Sequence, residues 1–208
     1  MKAVIFDLDG TLWDTSDAVV KKWNEVLREE SINLKMTKEI MASLMGKNED
    51  EIIDSFFSKL EKTHAKRVIS RIFLSEQEYL RRCGANMYDS VIDTLNILKK
   101  KYSVIIVSNC QNGYINSFIE YYNLKEVLSD FECAGNTGLS KGENIKLTLK
   151  RNNIEKAIYV GDTKSDELAA NYANLPFVFA SYGFGVSDKF DAVINSFDEI
   201  INVADKLL

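Results

Sequence analysis

The sequence predicts an α/β protein: a parallel sheet flanked by helices, with an inserted all-helical segment. Three observations predict it. Five short apolar runs recur along the 208 residues, and the first three end abruptly in polar or acidic residues. Apolar residues at helical spacing fill the gaps between most of these runs. One long stretch, 15–86, carries helical signals alone. Strands alternating with helices of this length form a parallel sheet covered on both faces.

The first run, Ala3-Val4-Ile5-Phe6, stops at Asp7-Leu8-Asp9-Gly10 and reads as a buried parallel strand entering a loop. Val104-Ile105-Ile106-Val107 stops at Ser108-Asn109, and Ala157-Ile158-Tyr159-Val160 at Gly161-Asp162. Phe177-Val178-Phe179-Ala180 and Ala192-Val193-Ile194 supply a fourth and a fifth strand. Between them, Val91, Leu95 and Leu98 stand one and two helical turns apart. Ile115, Phe118, Ile119 and Tyr122 lay one apolar stripe along a helix. Segments 143–151 and 165–173 also read as helices. Within 15–86, helices are expected over 18–30 and 64–83, the latter ended by Gly84. Thr37 is an N-cap for a short helix stopping at Gly46, and Asn48 with Glu51 forms a capping box for the next. A crossover between parallel strands needs one helix, not four. Residues 15–86 are therefore expected to be a cap over the sheet's C-terminal edge, with 1–14 and 87–208 forming the core.

Composition narrows the function. The net charge of −5, with Lys and Arg scattered, disfavours nucleic-acid binding. Three cysteines without a CxxC pair disfavour a disulfide framework or a structural zinc site. A single histidine, His64, excludes mechanisms that need a His pair. No apolar run approaches the roughly 18 residues of a membrane span. Asp7 and Asp9 interrupt what could otherwise be a signal peptide, so a cytoplasmic protein is expected. The sequence says nothing of oligomeric state.

In an open parallel sheet, ligands bind beyond the carboxyl ends of the strands. Asp7, Asp9, Ser108 and Asp162 all lie just past such ends. Lys141, read as lying in a loop before a helix, can reach the same crevice. Carboxylates gathered there repel one another: two charges ~4 Å apart cost about 4 kcal/mol at an effective dielectric near 20. A hard divalent cation removes that cost, and Mg2+ suits one or two carboxylates plus waters and a phosphate oxygen. Lys141, the hydroxyls of Thr11 and Ser108, and backbone N–H groups after Asp7 and Ser108 complete a pocket for a phosphoryl group with its metal. A carboxylate can attack phosphorus, and a second acid can protonate the departing oxygen and then activate water. Asp7 as nucleophile and Asp9 as acid/base fit that division.

The motifs Asp7-Leu8-Asp9-Gly10-Thr11-Leu12, Ser108-Asn109, Lys141 and Gly161-Asp162-Thr163-Lys164-Ser165-Asp166 resemble the four motifs of the haloacid dehalogenase-like hydrolase superfamily. The helical segment resembles the cap of its phosphoglycolate phosphatase-like branch. The resemblance covers essentially the whole chain, and it is most specific in the first and fourth motifs. It implies a Rossmann-like sheet, Mg2+ as cofactor and phosphoryl transfer through an aspartyl-phosphate. It implies that Asp7 is nucleophile and metal ligand, and that Asp9 is acid/base and ligates metal through its backbone carbonyl. Thr11, Ser108, Asn109 and Lys141 then hold the phosphate, Asp162 ligates metal, and Asp166 supports it from behind. The chain departs from the branch at Gly142, where many relatives have Pro, and at Met87-Tyr88-Asp89-Ser90-Val91, which lacks the usual Pro-Gly. Lys146 is the alternative lysine for the third motif.

The expected activity is a Mg2+-dependent phosphatase for a small phosphorylated metabolite: phosphoglycolate-like, a sugar phosphate or a nucleotide. The rivals are a sugar-phosphate mutase of the same superfamily, a dehalogenase, which Asp9 argues against, and a non-enzymatic phosphoryl sensor. Other residues have plainer readings. Asp14 orders the linker into the cap, and His64 lies on the surface. Trp13 and Trp23 pack cap against core, and Cys110 is a small filler. Lys47 is a solvated loop lysine placed where it could face an anionic substrate.

Overall fold

Val4, Ile5 and Phe6 are wholly buried, which requires cover on both faces and neighbours on both edges. The computed structural model, which describes residues 1–44 and 47–208, gives them both. Strand β1 (Lys2–Phe6) leads through β2 (Trp13–Asp14) into four helices: α1 (Ser16–Glu29), α2 (Lys38–Leu44), α3 (Glu49–Phe56) and α4 (Lys62–Cys83). The chain returns through β3 (Asn86–Met87) to α5 (Val91–Leu98), β4 (Ser103–Ser108), α6 (Tyr114–Tyr122), β5 (Asp130–Cys133) and the single turn α7 (Ala134–Thr137). It closes with α8 (Lys141–Arg151), β6 (Lys156–Gly161), α9 (Lys164–Ala173), β7 (Phe177–Ala180), β8 (Ala192–Ile194), a 3-10 turn and α10 (Ile200–Leu207).

The main sheet is parallel, in the order β5-β4-β1-β6-β7-β8. The fold is thus the expected α/β class, a Rossmann-like parallel sheet flanked by helices. Strand alternation sorts β1 between two layers. Val4 and Phe6 pack with Leu95 and Phe118, while Ala3 and Ile5 pack with Ile145 and Ala170 on the other face. The chain runs from β1 out to β4 and β5 on one side, then returns to β6 on the other. The carboxyl end of β1 is where that order reverses, and a crevice opens there.

Helices α1–α4 have an apolar cluster of their own, in which Trp23, Leu27, Met41, Phe57 and Ile69 meet. The insert leaves and rejoins the sheet through an antiparallel ribbon, with Trp13 opposite Met87 and Asp14 opposite Asn86. Asp14 Oδ1 accepts the Ser16 N–H at 2.8 Å where the chain enters α1. The capping box at Asn48 and Glu51 is present. The expected stop at Gly46 lies outside the described residues.

Several features depart from the sequence reading. Lys141 opens α8 instead of lying in a loop, because Ser140 and Glu143 form a capping box one residue upstream. Strand β5 was not expected: its Asp-Phe-Glu-Cys sequence carries no apolar run, and Arg151 neutralises Asp130 and Glu132 at 2.6 Å each. The ribbon β2–β3, two residues per strand, is too short to show periodicity. Trp13 packs edge-on to Tyr114, Phe118 and Tyr122 within the core, and Trp23 packs on Phe56 and Phe57 within the insert. Neither ring is chiefly cap-to-core packing. His64 is half-buried, with its Nε2 enclosed.

Candidate active site

The strand exits converge. Asp7 follows β1, Ser108 ends β4 and Asp162 follows β6, and each is at most 5 % exposed. One oxygen each from Asp7, Asp162 and Asp166 lie within 4.8 Å of one another. Lys141, from the first turn of α8, puts Nζ 3.0 Å from Asp7 Oδ1 and 2.7 Å from Asp166 Oδ1. Asp7 Oδ1 is paired by charge there, yet it sits outside hydrogen-bond geometry. Lys146, the alternative lysine, lies instead 4.0 Å over the Tyr172 ring.

Asp166 is held on every side. Oδ1 accepts from Lys141 and, at 3.2 Å, from the Tyr159 hydroxyl, while Oδ2 accepts the Thr163 N–H and hydroxyl. It therefore serves chiefly to anchor Lys141 and the fourth-motif loop. Asp162 keeps fewer partners: Oδ2 accepts the Phe184 N–H at 2.8 Å, and Oδ1 faces the Thr11 hydroxyl at 3.4 Å. The Thr11 side chain, fully buried, is thus turned to Asp162. Gly10, at φ +82°, lies so close that a Cβ there would stand 2.3 Å from Asp162 Oδ2. Glycine is required at that turn both for its dihedral and for its size.

The Asp9 side chain points the other way, toward the insert. Its Oδ1 accepts from Thr15 at 2.9 Å and from Tyr114 at 3.0 Å, and the Tyr114 and Thr15 hydroxyl oxygens stand 3.0 Å apart. Asp9 is therefore outside the carboxylate trio through its side chain. Its carboxyl and that of Asp7 face one cavity of about 80 Å³, closed by the insert through Trp23, Leu44, Lys47 and Glu76 and by Ser108 and Asn109. A larger cleft of about 600 Å³ shares its Lys47, Asn109 and Gln111 walls.

The electrostatics follow from burial. Desolvation, opposed by Lys141 and reinforced by Asp166, raises the Asp7 carboxyl to about 6. Desolvation and the Asp7 charge raise Asp9 to about 7, against the Thr15 and Tyr114 hydrogen bonds. Desolvation with Asp166 and Asp7 raises Asp162 to about 8. Burial pulls Lys141 down, but Asp166 and Asp7 outweigh it and hold the ammonium above its usual range. Burial also holds the Cys110 thiol well above its ordinary value, as an inert filler requires.

The donor set fits a hard divalent cation. Asp7 and Asp162 offer carboxylate oxygens with few protein donors, so the trio is short of positive charge by more than Lys141 supplies. What sequence reasoning missed lies on the insert-facing side: Thr15, Tyr114, Gln111 and Glu76. Their signal was weak, since each lies on or next to a helix with no motif around it. Tyr114, one turn beyond Ser108-Asn109, was the most accessible of them.

The family model for haloacid dehalogenase-like hydrolases matches residues 4–180. A phosphoglycolate phosphatase of Xanthomonas campestris pv. campestris (strain 8004) is 27% identical over 199 residues, spanning 90% of this chain and 86% of that protein. The crystal structure of a predicted phosphatase from Clostridium acetobutylicum superposes with a TM-score of 0.81 at 21% identity, covering 99% of both chains. That of a predicted phosphoglycolate phosphatase from Haemophilus somnus 129pt gives 0.83 at 20% identity, covering 98% of this chain and 97% of the other.

Proposed function

The chain belongs to the haloacid dehalogenase-like hydrolase family, and from that premise we propose that it is a Mg2+-dependent phosphatase acting on a small phosphorylated metabolite. The observation that carries this reading is the meeting of Asp7, Lys141 and Asp162, from three distant segments, with Asp7 opening on the cavity that Asp9 and Ser108 also line. Relatives named phosphoglycolate phosphatase support it.

In the proposed reaction an Asp7 oxygen bonds to phosphorus as the bond to the leaving alcohol breaks. Asp9, raised to about 7 and so protonated in a substantial fraction of molecules at neutral pH, gives its proton to the leaving oxygen. Asp9 then takes a proton from water, whose oxygen displaces Asp7 and frees phosphate. Thr15 and Tyr114 hold Asp9 through Oδ1 during both transfers. Lys141 balances Asp7 and the phosphoryl oxygens, while Ser108 and Asn109 line the phosphate side of the cavity. Asp7 and Asp162, with the backbone carbonyl of Asp9, would hold Mg2+, with Asp166 behind them. When bound, that ion supplies charge stabilisation for the transferring phosphoryl group. Residues 15–86 act as the cap and exclude water from the exchange, over a core of 1–14 and 87–208.

Turnover of an aryl phosphate in the presence of Mg2+ tests the reading. Wild type turns over and Asp7→Asn does not; equal rates for the two would end it.

A further inference from the structure

The cap's wall of the inner cavity is mostly apolar: Val19, Met41, Leu44, Ile52 and Phe73. Two ionisable groups break it, Lys47 and Glu76. Glu76, about two turns before the end of α4, is only 3 % exposed. Its Oε1 accepts the Trp23 indole N–H from within the cap. Its Oε2 accepts the Gln111 amide at 3.2 Å from the core loop after β4. Both partners are neutral, and among the described residues no cation pairs with it. Asp9 faces it across the same cavity and adds like charge.

A buried acid with no cationic partner costs stability, and such a group inside a cleft is a functional candidate. The helix face alone does not explain it: an apolar residue would continue the Phe73 and Ile72 surface without that cost. The carboxyl is also held in one place from both sides, by the cap through Trp23 and by the core through Gln111. It is therefore positioned only when the two bodies are together, the state in which a leaving group is enclosed.

We infer that Glu76 reads the leaving group, and that the group it selects carries a hydroxyl beyond the one esterified to phosphate. This rests on the phosphatase reading and names the substrate class of the same site: a monophosphate of a small polyol or sugar-type alcohol. The chemistry of the pocket favours a hydroxyl. It both donates and accepts, so it satisfies Glu76 as carboxylate or as carboxylic acid. A plain alkyl leaving group adds no partner to the Trp23 and Gln111 hydrogen bonds and covers the acid's remaining face with carbon. A site built to hydrogen-bond a substrate hydroxyl rejects the analogue lacking it far more strongly than an apolar pocket rejects an extra one. The apolar walls then bound the carbon skeleton.

The test uses a matched pair, glycerol 3-phosphate and 1-propyl phosphate, with p-nitrophenyl phosphate as a reporter of the chemical step, all with Mg2+. Wild type is expected to show at least about a tenfold preference in kcat/KM for glycerol 3-phosphate over propyl phosphate. Glu76→Met, which keeps the buried volume, brings that ratio to within about twofold of unity while aryl phosphate turnover persists. Glu76→Gln, which still donates and accepts, keeps most of the preference. If Glu76→Met does not fold, Glu76→Ala is read in its place. The inference is overturned if wild type does not discriminate within the pair, or if the apolar variants discriminate as wild type does. If wild type turns over none of the three esters, the phosphatase reading fails and takes this inference with it.

Discussion

Lys141 Nζ stands 3.0 Å from Asp7 Oδ1, and the two side chains are almost wholly enclosed. The lysine is the cation of the carboxylate group and is itself tied to Asp166 at 2.7 Å. Replacing it with methionine keeps the volume and removes the charge. Lys141→Met is expected to lower kcat/KM on an aryl phosphate by about 100-fold or more, the usual scale for removing a donor aimed at developing charge. The same change makes the acidic group more negative, so Mg2+ binds more tightly while turnover falls. Metal titration by calorimetry beside steady-state kinetics checks both signs.

The Tyr114 hydroxyl holds Asp9 without touching the carboxylate trio. Tyr114→Phe leaves the ring packed on Trp13 and removes only the hydrogen bonds to Asp9 and Thr15. An acid held less well matters most where the leaving group needs its proton. The expected loss is about tenfold or more on an alkyl phosphate and within about threefold on p-nitrophenyl phosphate. Equal losses on both esters would contradict the role given to Asp9.

These residues mark what the sequence could and could not reveal. Asp7, Asp9, Ser108 and Asp162 were legible because each ends a short apolar run, and a strand end places its next residue at the sheet's edge. Lys141 was legible as a charge, but the Ser140–Glu143 capping box that puts it at the head of α8 was not, and that helix was expected to begin at 143. Glu76 was silent, and Tyr114 offered only its nearness in the chain to Ser108-Asn109. They lie on helices whose registers follow from packing between insert and core, and neither helix shows that partner in its own spacing. Strand β5 was silent for another reason: its acids are neutralised by Arg151 from α8, a pairing that only the folded chain makes.

Burial raises the Glu76 carboxyl from 4.5 to about 8, with the Trp23 hydrogen bond opposing and the Asp9 charge reinforcing. The folded state therefore binds the proton more tightly than the unfolded chain does. The stability linked to it is complete below about pH 4.5 and is lost as pH rises toward 8. Over that window the loss is on the order of a few kcal/mol. Glu76→Gln removes this dependence, so its stability relative to wild type should be greater at pH 8 than at pH 5. Urea titrations of both proteins at the two pH values measure it; parallel curves would contradict the burial argument.

Ser90 opens α5 with φ +63°, in the left-handed region, and its side chain makes no capping hydrogen bond. Ser90→Gly removes a strain of about 1–2 kcal/mol, offset in part by the greater freedom of glycine in the unfolded chain. A net gain of about 0.5–1 kcal/mol follows, visible as a rise in Tm of about 1–4 °C by calorimetry. A fall in Tm would show that the serine is doing something its hydrogen bonds do not reveal.

The central claim is that Asp7 carries the phosphoryl group. Rapid acid quench during turnover of a 32P-labelled substrate, followed by peptide mapping, addresses it directly. The account predicts acid-stable, hydroxylamine-labile label on the peptide containing Asp7, absent in Asp7→Asn. Turnover with no labelled peptide at any time, or label on a different residue, would contradict it.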